Sequence, residues 1–193
     1  MREPFEAYGH IGIVHPMAFP EVGSGEGPIV ETVTRLATDP FFSAIEVTWM
    51  KDPKVRAEVA SILATAGLDV VFLAQGPLLQ QGLSLCALDD SAREQSISQC
   101  KTLIDQAYEL GASILAVSSG LDPAPGTRKA ATEALVDSLK QLCADAQEKA
   151  GTTMLSISLE NFDREVDKRA LIGPTREAAQ VAEELKRRGL AAP

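Results

Sequence analysis

Short apolar runs alternate with amphipathic segments five times along this chain, and that repetition restricts it to parallel strands joined by crossover helices. The strand candidates are His10 to His15, Ala44 to Met50, Leu68 to Gln75, Ser113 to Ser119 and Met154 to Glu160, each rich in Val, Ile or Leu. The helices show themselves by their ends as much as by their period. Asp52-Pro53 supplies an N-cap and a first-turn proline, and Gly67 stops the segment Lys54 to Ala66 where a left-handed turn costs glycine least. A longer helix runs from about Ser91 to Leu110 behind Asp89-Asp90, with Ile97, Cys100, Leu103, Ile104 and Ala107 on one stripe. Others span about Pro28 to Thr38, Thr127 to Ala150 and Pro174 to Arg188. No linker or low-complexity tract divides the chain, so residues 1–193 read as a single α/β domain of parallel βα units. Five such units make either part of an eight-unit TIM-type barrel or a flavodoxin-like open five-stranded sheet.

Charge narrows the partners. Acids outnumber bases 27 to 18, a net charge of -9, so the summed field repels phosphate backbones and nucleic acid is not an expected partner. No stretch reaches the roughly 18 apolar residues of a membrane span, and Met1 to His10 carries no apolar export signal. Cys86, Cys100 and Cys143 match no zinc or CxxC spacing and read as reduced thiols of a cytoplasmic protein, with Cys100 and Cys143 on apolar helix stripes.

Polar residues inside a strand buried on both faces need a hydrogen-bonding or chemical reason, because an unpaired buried polar group costs roughly 1–3 kcal/mol. The fifth strand candidate breaks the apolar rule three times. Ser156, Ser158 and Glu160 share one parity, and Leu155, Ile157 and Leu159 share the other, so one face meets helices and the other is a polar lane ending in a carboxylate. The second strand repeats the division, with Glu46 and Thr48 opposed to Ile45, Val47 and Trp49. An inward glutamate at a strand's carboxyl end stands where barrel enzymes place catalytic groups, which makes Glu160 the leading candidate. Its structural alternative is an ion pair with a loop arginine. Glu46 lies deeper, where a carboxylate is expected to brace the barrel floor by hydrogen bonding.

The remaining candidates lie in loops. His10 and His15 differ by five positions and point to opposite faces of a strand, so they cannot share one metal, and His15, at the carboxyl end, is the one placed to touch a substrate. Gly23-Ser24-Gly25-Glu26-Gly27 is a poor phosphate cradle, with an acid in its middle and no Walker lysine, and reads as a flexible lid. The connection from Gly76 to Asp90 is long for a βα loop, which usually takes about 2–6 residues, and is expected to border the pocket. Ser118, Ser119 and Gly120 offer hydroxyls and amides to a ligand or form a tight turn. Neither GxSxG nor a serine triad spacing is present, which disfavours covalent hydrolysis.

Ala44-Ile45-Glu46-Val47, the stretch Ile104 to Ala112 leading into Ser118-Ser119-Gly120, and Leu159-Glu160-Asn161-Phe162-Asp163 followed by Leu171-Ile172-Gly173-Pro174-Thr175 occur in an order that resembles the sugar phosphate isomerase/epimerase family of xylose isomerase-like barrels. The resemblance covers nearly the whole chain. It implies an isomerase or epimerase of a small sugar or sugar phosphate, with a divalent metal (manganese, magnesium or zinc) held by acids and a histidine at the carboxyl ends of the fifth to eighth strands. By that resemblance Glu160 is the fifth-strand metal ligand and a proton-transferring glutamate, and the strand-end positions of His15, Gln75 and Ser118 put them near the substrate in the same reading. A hard cation polarises a carbonyl and acidifies the neighbouring C–H while a carboxylate moves the proton. Only five of eight units are present, so the expected molecule is a truncated or split barrel, or one completed by a homo-oligomer or a complementary barrel fragment. A binding or assembly module without catalysis is the alternative. An apurinic-site endonuclease of the same broad superfamily would need several zinc ligands and a basic face, against which stand two histidines and the charge of -9.

Overall fold

Each of the five apolar runs forms a strand in the computed structural model, which describes residues 7–189. The strands are β1 (Gly12–Val14), β2 (Ala44–Thr48), β3 (Asp69–Leu73), β4 (Ile114–Ser118) and β5 (Ser156–Glu160). They pair in parallel in the order β1-β2-β3-β4-β5. This order corrects the flavodoxin-like alternative, in which β1 would lie between β2 and β3 and helices would cover both faces. Here every right-handed crossover steps one strand the same way, so all crossover helices fall on one face and the other face is left concave, as in a barrel wall.

The helices are α1 (His15–Ala18), α2 (Ile29–Ala37), α3 (Pro53–Ala66), α4 (Gln75–Gln80), α5 (Asp90–Glu109), α6 (Arg128–Lys149) and α7 (Thr175–Arg187). The five long ones match the sequence periods to within two residues at each end. Asp52 Oδ1 accepts from Lys54 N at 2.8 Å and Asp89 Oδ1 from Ala92 N at 2.8 Å, satisfying orphan amides at the starts of α3 and α5. Gly67 closes α3 at φ +68°. The two short helices carry no periodic signature. α1 spans four residues with Pro16 in its first turn, so β1 ends at Val14 and His15 opens a helix instead of closing a strand. α4 likewise takes Gln75 from the end of β3 and folds the first part of the expected long loop.

Parity holds throughout the sheet. Ile45, Val47, Phe72, Leu115 and Val117 are fully buried against the helices, together with Leu103, Ile104, Leu135 and Leu142 from α5 and α6. Burying each such side chain contributes about 1.5–3 kcal/mol. The opposite parity lines the concave face in levels set by register. Val14, Glu46, Val71, Ile114 and Ser156 share one level, Thr48, Leu73, Ala116 and Ser158 the next, and Ser118 and Glu160 the uppermost. Ile114 on this face is 36% exposed, whereas Leu115 beside it on the helix side is at 0%. Among the described residues, no helix is long and apolar enough to cross a membrane. The reading of Met1 to Glu6 falls outside the described residues.

The Gly23–Gly27 segment is tied down, which corrects the expectation of a flexible lid. Gly23 O accepts from Trp49 Nε1 at 3.3 Å and from Gln80 Nε2 at 3.0 Å, and Gly25 O accepts from Lys51 N at 3.0 Å. Gly25 adopts φ +80° against the Trp49 ring, which a side chain there would meet at 3.2 Å. These contacts fasten the β1 rim to the β2 rim.

Candidate functional site

The carboxyl ends of β3, β4 and β5 bring three of the four sequence candidates together. Gln75 opens α4 directly after Ala74, whose N donates to Ala116 O at 2.9 Å, which brings it to the end of β4 near Ser118, and Ser118 pairs with Glu160. Gln75 Nε2 donates to Glu160 Oε2 at 2.6 Å. That contact fixes one carboxylate oxygen and leaves Oε1 without a partner among the described residues. Gln75 is 8% exposed and Ser118 7%, yet the Ser118 hydroxyl and the Gln75 carbonyl oxygen form no hydrogen bond with the described residues. The site therefore holds unused hydrogen-bonding capacity.

Two arginines close to the segments after β4 and β5 are engaged away from Glu160. Arg128 Nε donates to Asp122 Oδ1 at 2.8 Å, and Arg164 pairs with Glu177 and the Leu171 carbonyl. These ion pairs clamp the loops after β4 and β5 from the outside. Leu121 and Ala170 form an antiparallel bridge, Leu171 N donates to Gly120 O at 3.0 Å, and Ile172 N donates to Ser119 Oγ at 3.1 Å. Ser119 is thereby consumed by the loop, and of the two serines only Ser118 faces the concave side. Asp163 caps its own loop, accepting from Val166, Asp167 and Lys168 amides, which hold its carboxyl down at about 2.

His15 lies apart from this group. It follows the inward Val14, so its ring turns the other way, toward α2, where Nε2 lies 2.8 Å from Thr32 Oγ1 and the residue is 1% exposed. Burial lowers its pKa to about 4, slightly opposed by Glu21. His10 sits at the amino ends of the strands, 3.2 Å from Asp69 Oδ2.

Glu46 is the residue whose surroundings the sequence misjudged. It is half-buried on the concave face with no hydrogen bond or ion pair among the described residues, so it braces nothing. Burial raises its pKa, and the Glu160 carboxylate raises it further. Register alone puts Glu46 level with Ser156, four residues before Glu160. A barrel-type sheet, however, shears by about one residue per strand, and three strand steps carry Glu160 back toward the level of Glu46.

Among the described residues, no three His, Cys, Asp or Glu side chains gather as a metal site. Glu160 is a single hard-oxygen donor, fewer than any divalent cation requires, so the described residues do not make a metal centre by themselves. The free edge of β5 borders a groove of about 850 Å³ beneath α7, lined by Leu155, Ile157, Leu159, Ala178, Ala182 and Leu185, where a further parallel strand would pair.

Comparison with known proteins agrees with this geometry. Residues 37–190 match the family model described as xylose isomerase-like TIM barrel. No curated protein matches the sequence. Among similar solved structures, D-psicose 3-epimerase from Clostridium cellulolyticum H10 is 14% identical at a TM-score of 0.68, with 90% of this chain and 59% of that one covered. An AP endonuclease, family 2, from Brucella melitensis is 17% identical at a TM-score of 0.64, covering 82% and 59%. A xylose isomerase-like TIM barrel protein from Mycobacterium smegmatis in complex with magnesium is 16% identical at 0.50, covering 84% and 55%. This chain thus spans less than two thirds of each of them, and identities this low speak to fold. The match over residues 37–190, on a sheet of sequential parallel order, shows that the chain belongs to the xylose isomerase-like TIM barrel family.

Proposed function

We propose that this chain contributes the β1–β5 wall of an isomerase or epimerase that moves a proton next to the carbonyl of a small sugar, with Glu160 as the proton-transferring carboxylate. The observation that carries this is the Gln75–Glu160 contact at the mouth of the concave face, where one carboxylate oxygen is held and neither the other nor the neighbouring Ser118 hydroxyl has a partner among the described residues. Gln75 orients the carboxylate, Ser118 receives a substrate oxygen, and Glu160 Oε1 takes the proton from carbon. Metal dependence belongs to the completed site, to which Glu160 would bring one ligand. The groove along β5 supports completion by a further parallel strand, from a second chain or a complementary barrel fragment.

The test is proton exchange. Purified protein with Mn²⁺ and a panel of ketoses in D₂O is followed by ¹H NMR for loss of the signal next to the carbonyl. Removing a general base costs typically about 10²–10⁴-fold, so Glu160→Gln is expected to abolish measurable exchange. Exchange that persists in the variant overturns the assignment. Sugar binding without any exchange would favour the assembly-module reading, which the β5 groove also supports.

A further inference from the structure

Away from the concave face, a cavity of about 600 Å³ opens between α6 and α7, a size that admits a small ligand. Val136, Leu171, Ile172 and Val181 form its apolar floor. Its walls gather Arg128, Lys129, Arg164, Arg187 and Arg188 against Glu133, Glu177 and Glu184, which reverses the balance of a chain with 18 bases and 27 acids. The two ends of the cavity differ in which charges are free. Toward the carboxyl end of α7, Arg187 pairs with Glu184 and Arg188 with Glu184 and Asp137, so the bases there are spent. At the start of α6 the acids are spent instead. Asp122 has both oxygens on Arg128, and Glu177 has both on Arg164. Arg128 uses only Nε and Nη2 in that pair, so Nη1 has no partner among the described residues, and neither has Lys129 Nζ. Arg164 Nε is buried without a hydrogen bond, 3.7 Å from Asp122 Oδ2. Unused donors of one sign thus meet at one end of one cavity, where a native structure ordinarily supplies an acceptor. The 22-residue α6 begins at the same point with no side-chain cap from Thr127, and its dipole adds positive potential there. Glu133 lies further along α6 without an ion pair among the described residues, which keeps an anion at the Arg128 end.

We infer that this end of the cavity binds a small oxyanion, a phosphate or carboxylate group, held by Arg128 Nη1 and Lys129 Nζ with the Arg164 guanidinium beside them. A guanidinium presents planar donors that match such groups, and an ammonium adds a point charge. The pairs with Asp122 and Glu177 hold both guanidinium groups in place before an anion arrives, so little freedom is lost on binding. Arg128 and Lys129 belong to α6 and Arg164 to the segment after β5, so the bound anion ties that segment to α6. The site is separate from Glu160, and the proton transfer proposed above does not depend on it.

The experiment titrates the full chain with sodium phosphate and separately with sodium acetate, each against sodium chloride at matched ionic strength, followed by backbone amide NMR shifts and by thermal unfolding. The expected result is a saturable movement of the amides of residues 127–132 and 164–172, with a Tm above that in chloride. Saturation by either anion supports the site, and the tighter of the two names its head group. Lys129→Glu should weaken binding at least about tenfold. It should leave the Tm in chloride nearly unchanged, because Lys129 is exposed and holds no ion pair among the described residues. Shifts that rise without saturating and equally in chloride would mean ionic strength alone and overturn the site. Saturable shifts confined to the ends of β3 to β5, or binding that Lys129→Glu leaves unaltered, overturn it as well. The unsubstituted protein decides between these outcomes even if the variant fails to fold.

Discussion

Gly120, just after β4, offers the sharpest test of how the site is held. Its φ is +96°, and a Cβ placed there would stand 2.0 Å from Ser84 Oγ, 2.9 Å from Ser84 Cβ and 3.2 Å from Cys86 Sγ. Gly120→Ala therefore incurs two costs. The left-handed backbone costs about 1–2 kcal/mol with a side chain present, and forcing a methyl into filled space costs about 1–3 kcal/mol. The Ser84 hydroxyl could rotate away, but the Ser84 Cβ cannot, so the sum is set at about 3 kcal/mol. With a urea m-value of about 2 kcal/mol/M, the midpoint should fall by about 1.5 M at unchanged m. Ser84→Gly removes both close atoms and leaves the backbone term. In a double-mutant cycle the pair should thus recover about half of the loss, while two independent sites would add. Equilibrium denaturation followed by circular dichroism measures all four proteins. A midpoint shift below about 0.3 M for Gly120→Ala, or strict additivity with Ser84→Gly, refutes the packing argument.

Two further outcomes follow from buried titratable groups. Folding withholds from His15 a proton that the unfolded chain takes up near 6.5, so its contribution is complete above about 6.5 and is lost as pH falls toward about 4, by at most about 3 kcal/mol. Urea midpoints at pH 7 and 4.5 should therefore converge in His15→Gln relative to the unsubstituted protein, and an equal pH dependence in both would contradict the burial of the ring. Burial pushes the Cys100 thiol up to about 12, so at pH 8 it should react with a thiol reagent only after denaturation. Labelling of Cys100 in the native protein, detected by peptide mass mapping, would show that α5 opens locally.

Period and parity made most of the wall readable before any coordinates. The alternation Ser156-Ile157-Ser158-Leu159-Glu160 already divides helix side from concave side, and Asp52, Gly67 and Asp89 mark helix ends by local chemistry alone. The outward turn of His15 was not legible, because the alternation along β1 separates His15 from Val14 without saying which of the two faces the concave side. The helices at His15–Ala18 and Gln75–Gln80 were not legible, since four and six residues do not complete a readable period and prolines near their starts resemble loop punctuation. The Gln75–Glu160 hydrogen bond joins residues 85 apart, and the influence of Glu160 on Glu46 crosses three strand steps. Such pairings depend on sheet order and shear, which no local pattern encodes. The tie of Gly23 to Trp49 and Gln80 is tertiary in the same sense, so a glycine-rich stretch that reads as mobile is a fixed rim.

The seam between the segments after β4 and β5 has a thermodynamic corollary. Ser118 and Glu160 are locked together from beneath by strand register and from above by the Leu121–Ala170 bridge, the Leu171 amide and the arginine clamps. An incoming molecule finds these two groups already spaced, and little conformational freedom remains there for it to freeze. Affinity differences among ligands of this wall should then arise from how well their polar groups fit a fixed frame, with adaptive closure contributing little.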